Sequence, residues 1–214
     1  MLLNQSLDEA KKQFEVKTTE DFQEGIFRLI QEQQQSGIVY GLQEGQQAAD
    51  FTLNNSTGHP INLSEQLSRG PVVLTFYRGG WCPFCNIQLR AYQSILPDIQ
   101  AVGGQLIAIS PQSPDHTLSQ QEKEDLSFEV LSDTNGLVAS LYKVLFEVPL
   151  YVQEVMTKRL SLSLAEYNAT DRWILPVPST FIIDQSGVIR LAYVNPDFMK
   201  RLEPQEILDQ LKRM

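Results

Sequence analysis

Both cysteines of this 214-residue chain lie in one short run, Trp81-Cys82-Pro83-Phe84-Cys85, where an apolar stretch gives way to a helical pattern. Thiols at that spacing can form and break a disulfide, so the run reads as a dithiol redox site. Other chemistries fit less well. A structural zinc or iron–sulfur site needs a full set of soft ligands, and those that remain, His59 and His116, are distant in sequence and in no recurring metal spacing. A structural disulfide across so short a loop would constrain little of the unfolded chain. Cys82 and Cys85 are therefore the expected catalytic pair, with no metal and no cofactor.

A thiol reacts as its thiolate, so a working cysteine needs surroundings that hold negative charge. A strand-to-helix turn supplies them. Pro83 suits the first helical position, which makes Cys82 the N-cap and turns its sulfur toward unpaired amides at the positive end of the helix, with Cys85 in the first turn. Arg78, just ahead, either adds positive charge to the pocket or is a solvated loop arginine. Trp81 either shapes the rim of the site or packs beside the strand.

The elements that must position this turn are legible around it. Residues 72–77, Val-Val-Leu-Thr-Phe-Tyr, form a continuous apolar run of the kind found in a central strand buried on both faces. A helix over 83–101 and a strand over 106–110 complete a unit suited to a right-handed crossover. Further on, the pattern predicts helices over 115–123 and 137–145, strands over 128–131, 180–184 and 188–194, and a turn at Gln185-Ser186-Gly187. A helical insertion is expected over 150–167, and a closing helix over 204–214 capped around Glu203. Before the cysteines, residues 51–63 read as a hairpin entering a mixed sheet.

Residues 6–35 are helical in pattern, with Thr18 and Asp21 as a capping box and Phe22, Ile26, Leu29 and Ile30 on one face. This is read as an N-terminal helical extension, residues 1–40, ahead of a main domain, residues 41–214. Its apolar stripe must pack on that domain or on a second copy of the chain, and homodimerisation is the expectation.

A content of 42% hydrophobic and 20% charged residues is that of an ordinary globular protein. The formal net charge of −9 argues against nucleic acid as a partner. No stretch has the apolar length of a membrane span, and residues 1–13 lack the basic and apolar regions of a secretory signal. A cytoplasmic location is expected, where such a cysteine pair cycles and does not serve as a permanent staple.

The runs 45–53, 63–64, 70–85 and 178–184 with Gly187 and Ile189-Arg190, together with Asn195-Pro196-Asp197-Phe198 and Arg201-Leu202-Glu203-Pro204, resemble the alkyl hydroperoxide reductase/thiol-specific antioxidant family. Within it the chain is similar to the peroxiredoxin-like group with a Cys-Pro-aromatic-Cys site. The resemblance implies an α/β, thioredoxin-like fold, a central mixed sheet flanked by helices, and thiol-dependent peroxidase or dithiol–disulfide oxidoreductase activity. The departures fall in the peroxide pocket. Aligned on Cys85, the family's proline place holds Arg78, its threonine place Cys82, and its arginine place Pro178. A proline there is the thioredoxin feature, so Val177-Pro178 is expected to be cis and to face the cysteine pair. The acid that thioredoxins keep behind the cysteines has no counterpart in residues 74–77, and no general base is identified.

Taken together, the sequence leads to a thiol redox enzyme that cycles Cys82 and Cys85 between dithiol and disulfide, oxidised by a hydroperoxide and restored by a thioredoxin-type reductant. Pro178, Arg78, Trp81 and Pro83 are expected to shape the site. A thioredoxin-like oxidoreductase acting on a disulfide substrate is the alternative, and a non-catalytic redox sensor or binding module a third reading. Cys82 is expected to attack first, because its N-cap sulfur should be the more acidic and because the threonine and arginine that would activate Cys85 are missing by alignment.

Overall fold

A computed structural model describes residues 2–214. Helices α1 (Leu3–Lys17) and α2 (Glu20–Gln35) lead into strands β1 (Thr52–Asn54) and β2 (Pro60–Asn62) and helix α3 (Leu63–Leu67). Then follow β3 (Val72–Phe76), α4 (Pro83–Ser94), α5 (Leu96–Ala101), β4 (Gln105–Ser110), α6 (Pro114–Glu124), β5 (Glu129–Ser132) and α7 (Leu137–Leu141). The chain closes with β6 (Leu145–Glu147), α8 (Leu150–Leu160), α9 (Leu164–Tyr167), β7 (Ile174–Pro176), β8 (Ser179–Ile183), β9 (Ile189–Val194) and α10 (Pro204–Leu211).

The central sheet has five strands in the order β5-β4-β3-β8-β9. Strands β3, β4 and β5 run parallel, while β8 and β9 are antiparallel additions on the other side of β3. This is the expected mixed sheet flanked by helices. Strand β3 is central and wholly buried, as its apolar run requires. Its alternation separates two cores: Val73 joins the one holding both cysteines, and Val72, Leu74 and Phe76 join the one on the opposite face. The carboxyl end of β3 feeds straight into the cysteine turn.

The N-terminal stripe is covered by the same chain. Phe22, Ile26, Leu29 and Ile30 are buried in the core that contains Cys82 and Cys85, together with Leu3 and Leu7 of α1. Each such side chain contributes about 1.5–3 kcal/mol when taken from water. The exposed stripe that motivated a homodimer therefore does not exist. Among the described residues, no helix is long and apolar enough to cross a membrane.

Several sequence expectations shift. The 6–35 pattern breaks at Thr18, whose hydroxyl donates to the Phe14 carbonyl at 2.6 Å and so closes α1; Thr19 is the N-cap of α2 and makes no side-chain capping bond. The Thr18–Asp21 capping box does not form, because the free carbonyls of α1 claim the hydroxyl first. The 83–101 helix divides at Ile95, where Pro97 lacks the N–H that would continue the ladder. The 51–63 hairpin forms its own two-stranded sheet and meets β5 at an Asn55–Leu131 bridge and at a hydrogen bond from Asn55 Nδ2 to Glu129 Oε2 at 3.1 Å. Helix α7 stops at Leu141, and residues 145–147 pair with β7.

Candidate active site

The loop between β3 and α4 is fixed before any sulfur is considered. Gly79 has φ 141°, and a Cβ there would lie 2.6 Å from the Trp81 indole nitrogen, so only glycine fits. The Gly80 N–H donates to Gln112 Oε1 at 2.8 Å, and Asn86 Nδ2 donates to the Gly80 carbonyl at 2.9 Å. Gln120 links the two, donating to Asn86 Oδ1 at 2.7 Å and accepting from Gln112 Nε2 at 2.9 Å and the Tyr77 hydroxyl at 2.8 Å. Burial pushes the Tyr77 phenol up, so it stays a neutral donor in this network.

Cys82 is the N-cap of α4 and Pro83 its first residue, as the sequence requires. The Cys82 sulfur, however, makes no capping bond. The Cys85 and Asn86 amides of the first turn donate to the Cys82 carbonyl at 3.1 and 3.2 Å. Both thiols are free and buried, at 1% and 0% exposure.

Two guanidinium groups reach the pair. Arg201 Nη2 lies 3.7 Å from Cys85 Sγ, and Arg78 Nη1 lies 4.0 Å from Cys82 Sγ. Both arginines are buried, and among the described residues neither makes an ion pair with a carboxylate. A sulfur is thus their natural anion. Burial raises the Cys85 thiol, but the Cys82 thiol hydrogen bond, the Arg201 and Arg78 charges and the Arg78 backbone amide outweigh it and hold Cys85 below its ordinary value. Burial, the bond to Cys85 and the Cys85 charge push Cys82 up. The acidity order is the reverse of that expected from the N-cap argument, because the Cys82 sulfur makes no capping bond and its thiol donates to Cys85, which with the two arginines favours Cys85 as the anion and sets its charge against Cys82.

Arg201 is the functional residue that sequence reasoning missed. It stands in a segment after β9 and is held by Gln88 Oε1, which accepts from its Nε at 2.6 Å, and by the carbonyls of Phe198 and Lys200. Gln88 is fixed in turn by Thr75 Oγ1 at 3.2 Å. The usable signal was an arginine set among Phe198, Met199 and Leu202, a charge that burial would force to find an anion.

The site-shaping residues divide. Arg78 is no solvated loop residue: its guanidinium sits 3.9 Å from the Phe198 ring centroid and 4.8 Å from that of Trp81. Arg78, Trp81 and Pro83 line a chamber of about 200 Å³ in front of Cys82. Its walls are apolar, with Phe14 and Phe22 from the N-terminal helices, Met156 from α8, and Phe84 and Phe198. Pro178 is buried and is not part of that wall, and no described peptide bond is cis. The thioredoxin-type cis proline is corrected accordingly: residue 178 leads into β8 in an extended trans chain.

The AhpC/TSA family model matches residues 44–192. The chain belongs to the AhpC/TSA family. A putative peroxiredoxin bcp of Helicobacter pylori is 29% identical over 157 residues, covering 72% of this chain and 89% of that protein. The chloroplastic peroxiredoxin Q of Sedum lineare is 23% identical, covering 84% of this chain and 81% of that one. Among solved structures, peroxidoxin BcpB from Mycobacterium tuberculosis superposes with a TM-score of 0.63 at 22% identity, covering 81% of this chain and 98% of that one, which shows the fold. This AhpC/TSA protein is a peroxiredoxin-like, thiol-dependent peroxidase, an oxidoreductase. The family match ends before Arg201 and begins after α2, so the arginine at Cys85 and the N-terminal wall of the chamber both lie outside it.

Proposed function

We propose that Cys85 attacks the hydroperoxide and Cys82 resolves the product, with a thioredoxin-type dithiol restoring the pair. The Cys85 thiolate attacks the distal peroxide oxygen: an S–O bond forms, the O–O bond breaks, and the leaving alkoxide takes a proton to become the alcohol. Cys82 then attacks the sulfenic sulfur, forming the S–S bond and releasing water. A reductant thiolate opens that disulfide by exchange. The observation that carries the assignment is the convergence of Arg201, the Arg78 amide and the Cys82 thiol on one buried sulfur.

The apolar chamber supports a hydroperoxide with an apolar substituent as substrate, since most of its wall is aromatic and aliphatic and the hydrogen-bonding side chains on it are Arg78, Trp81, Thr18 and the thiol. One observation favours the other order of attack: the chamber opens onto Cys82, and Cys85 lies behind it. Trapping sulfenic acid with a labelled dimedone reagent in Cys82→Ser and Cys85→Ser decides between them. Label on Cys85 in Cys82→Ser, at a rate near that of the intact protein, is expected; label confined to Cys82 in Cys85→Ser would reverse the assignment.

A further inference from the structure

The second half of the cycle poses a problem that the resting site does not solve. Cys82 must act as a thiolate, yet in the dithiol it is fully enclosed, hydrogen-bonded to Cys85, and held protonated by burial and by its neighbour's charge. Oxidation changes that neighbour. When Cys85 becomes a sulfenic acid its negative charge is gone, while the cations around it are unaltered.

Arg78 is built to stay in place through this change. Its guanidinium is gripped between the rings of Phe198, at 3.9 Å, and Trp81, at 4.8 Å, and it is 4% exposed, so its position does not depend on the charge of the sulfur. It makes no ion pair with a carboxylate among the described residues. The ionisable groups acting on Cys82 are Cys85, Arg78 and Arg201, and the facing side chains Phe14, Phe22 and Met156 carry no charge. Of the two arginines, Arg201 is committed to Cys85 and to the Gln88, Phe198 and Lys200 oxygens. Arg78 has the Cys82 sulfur, 4.0 Å from Nη1.

Building on the reading that Cys85 attacks first, we propose that Arg78 is a catalytic residue of the disulfide-forming step: it holds Cys82 as thiolate once Cys85 has been oxidised. The arginines thereby weight the cycle differently: Arg201, beside Cys85, acts chiefly in the peroxide step, and Arg78, whose charge also reaches Cys85, acts chiefly in the resolving step. In that step the Cys82 thiolate forms the S–S bond, the Cys85 S–O bond breaks, and the departing hydroxide takes up the proton that Cys82 released, leaving as water. Arg78 occupies the place that the family resemblance gives to a proline, so this function belongs to the dithiol form of the site.

The test separates the two steps by rapid mixing of reduced protein with a hydroperoxide, following sulfenic acid by dimedone capture and disulfide by loss of the Cys82 thiol, read by alkylation after denaturing quench. Arg78→Met keeps length and packing but removes the charge. An opposite charge at this range shifts a pKa by about 1–3 units, so disulfide formation near neutral pH should slow by about tenfold or more relative to sulfenic acid formation. Sulfenic acid should accumulate on Cys85, the resolving rate should recover as the pH rises, and Arg78→Lys should restore part of it. Arg201→Met should instead slow the first step more than the second. Equal slowing of both steps in Arg78→Met, or a resolving step with unchanged pH dependence, overturns the proposal. If Arg78→Met does not fold, the unaltered protein carries the test: its resolving rate must hold at pH values well below an ordinary thiol pKa of about 8.5, and a midpoint at or above that value overturns the proposal. Label found on Cys82 in place of Cys85 is a separate result, which removes the order of attack itself.

Discussion

At the scale of single residues, the site turns on which sulfur the cations face. A thiol held below its ordinary value is ionised across the neutral range, and it gains its proton only as the pH falls through the lowered value. Alkylation of Cys85 by iodoacetamide should therefore be nearly independent of pH from neutral down into mildly acidic solution, while Cys82 should resist until the solution is strongly alkaline. Arg201→Ala removes one of the two cationic charges that oppose the burial of Cys85, leaving the Cys82 hydrogen bond and the Arg78 charge and amide in place. Its alkylation profile should move upward, and peroxide consumption at neutral pH should fall by about tenfold or more. A profile that stays where it was would sink the role given to Arg201.

At the scale of elements, the arginine is only as well placed as the segment that carries it, and α1 holds that segment. Asn4 acts as an amide clamp, donating from Nδ2 to the Arg201 carbonyl at 2.8 Å and accepting from the Arg201 N–H at 3.2 Å. Glu203 caps α1, accepting from the Leu3 and Asn4 amides at 2.9 and 2.7 Å, while its own residue is the N-cap of α10. Asn4→Ala should cost about 1 kcal/mol for the lost bonds. It should also raise the pH at which Cys85 becomes alkylatable. Asp8→Asn is the control, since it breaks the exposed, solvent-screened Lys200–Asp8 pair at 2.9 Å and leaves the clamp intact. Equal alkylation profiles for the two variants would mean that α1 does not act through Arg201.

At the scale of the whole molecule, the N-terminal helices roof the redox centre. Phe14 packs on Phe22 at 5.5 Å and on Phe84 at 6.4 Å between ring centroids, so one wall of the chamber belongs to α1 and α2 and the other to the cysteine helix. Phe14→Ala should widen the chamber. The expected outcome is a higher KM for cumene hydroperoxide with little change for hydrogen peroxide, which does not need an apolar wall. Equal effects on both substrates would argue against the chamber as the binding site. Removing residues 1–40 uncovers the apolar face around Phe84 and Phe198, so the shortened chain should melt at a lower temperature and aggregate on concentration.

What the sequence determined by itself is what depends on neighbours along the chain. The spacing of Cys82 and Cys85 names the chemistry, the missing N–H of Pro83 puts Cys82 at the N-cap, and the unbroken apolar run of β3 makes it a central strand. The acidity order was not legible, because it depends on desolvation and on a charge 116 residues from Cys85 that only folding brings to 3.7 Å. Alignment assigned the arginine place to Pro178, whereas the tertiary structure delivers the guanidinium from beyond β9, held by Gln88 and by an asparagine at the opposite end of the chain. The apolar stripe of α2 announced that it needed a partner. Which surface met it was decided by the shape of the folded domain, which offered the mouth of its own redox site.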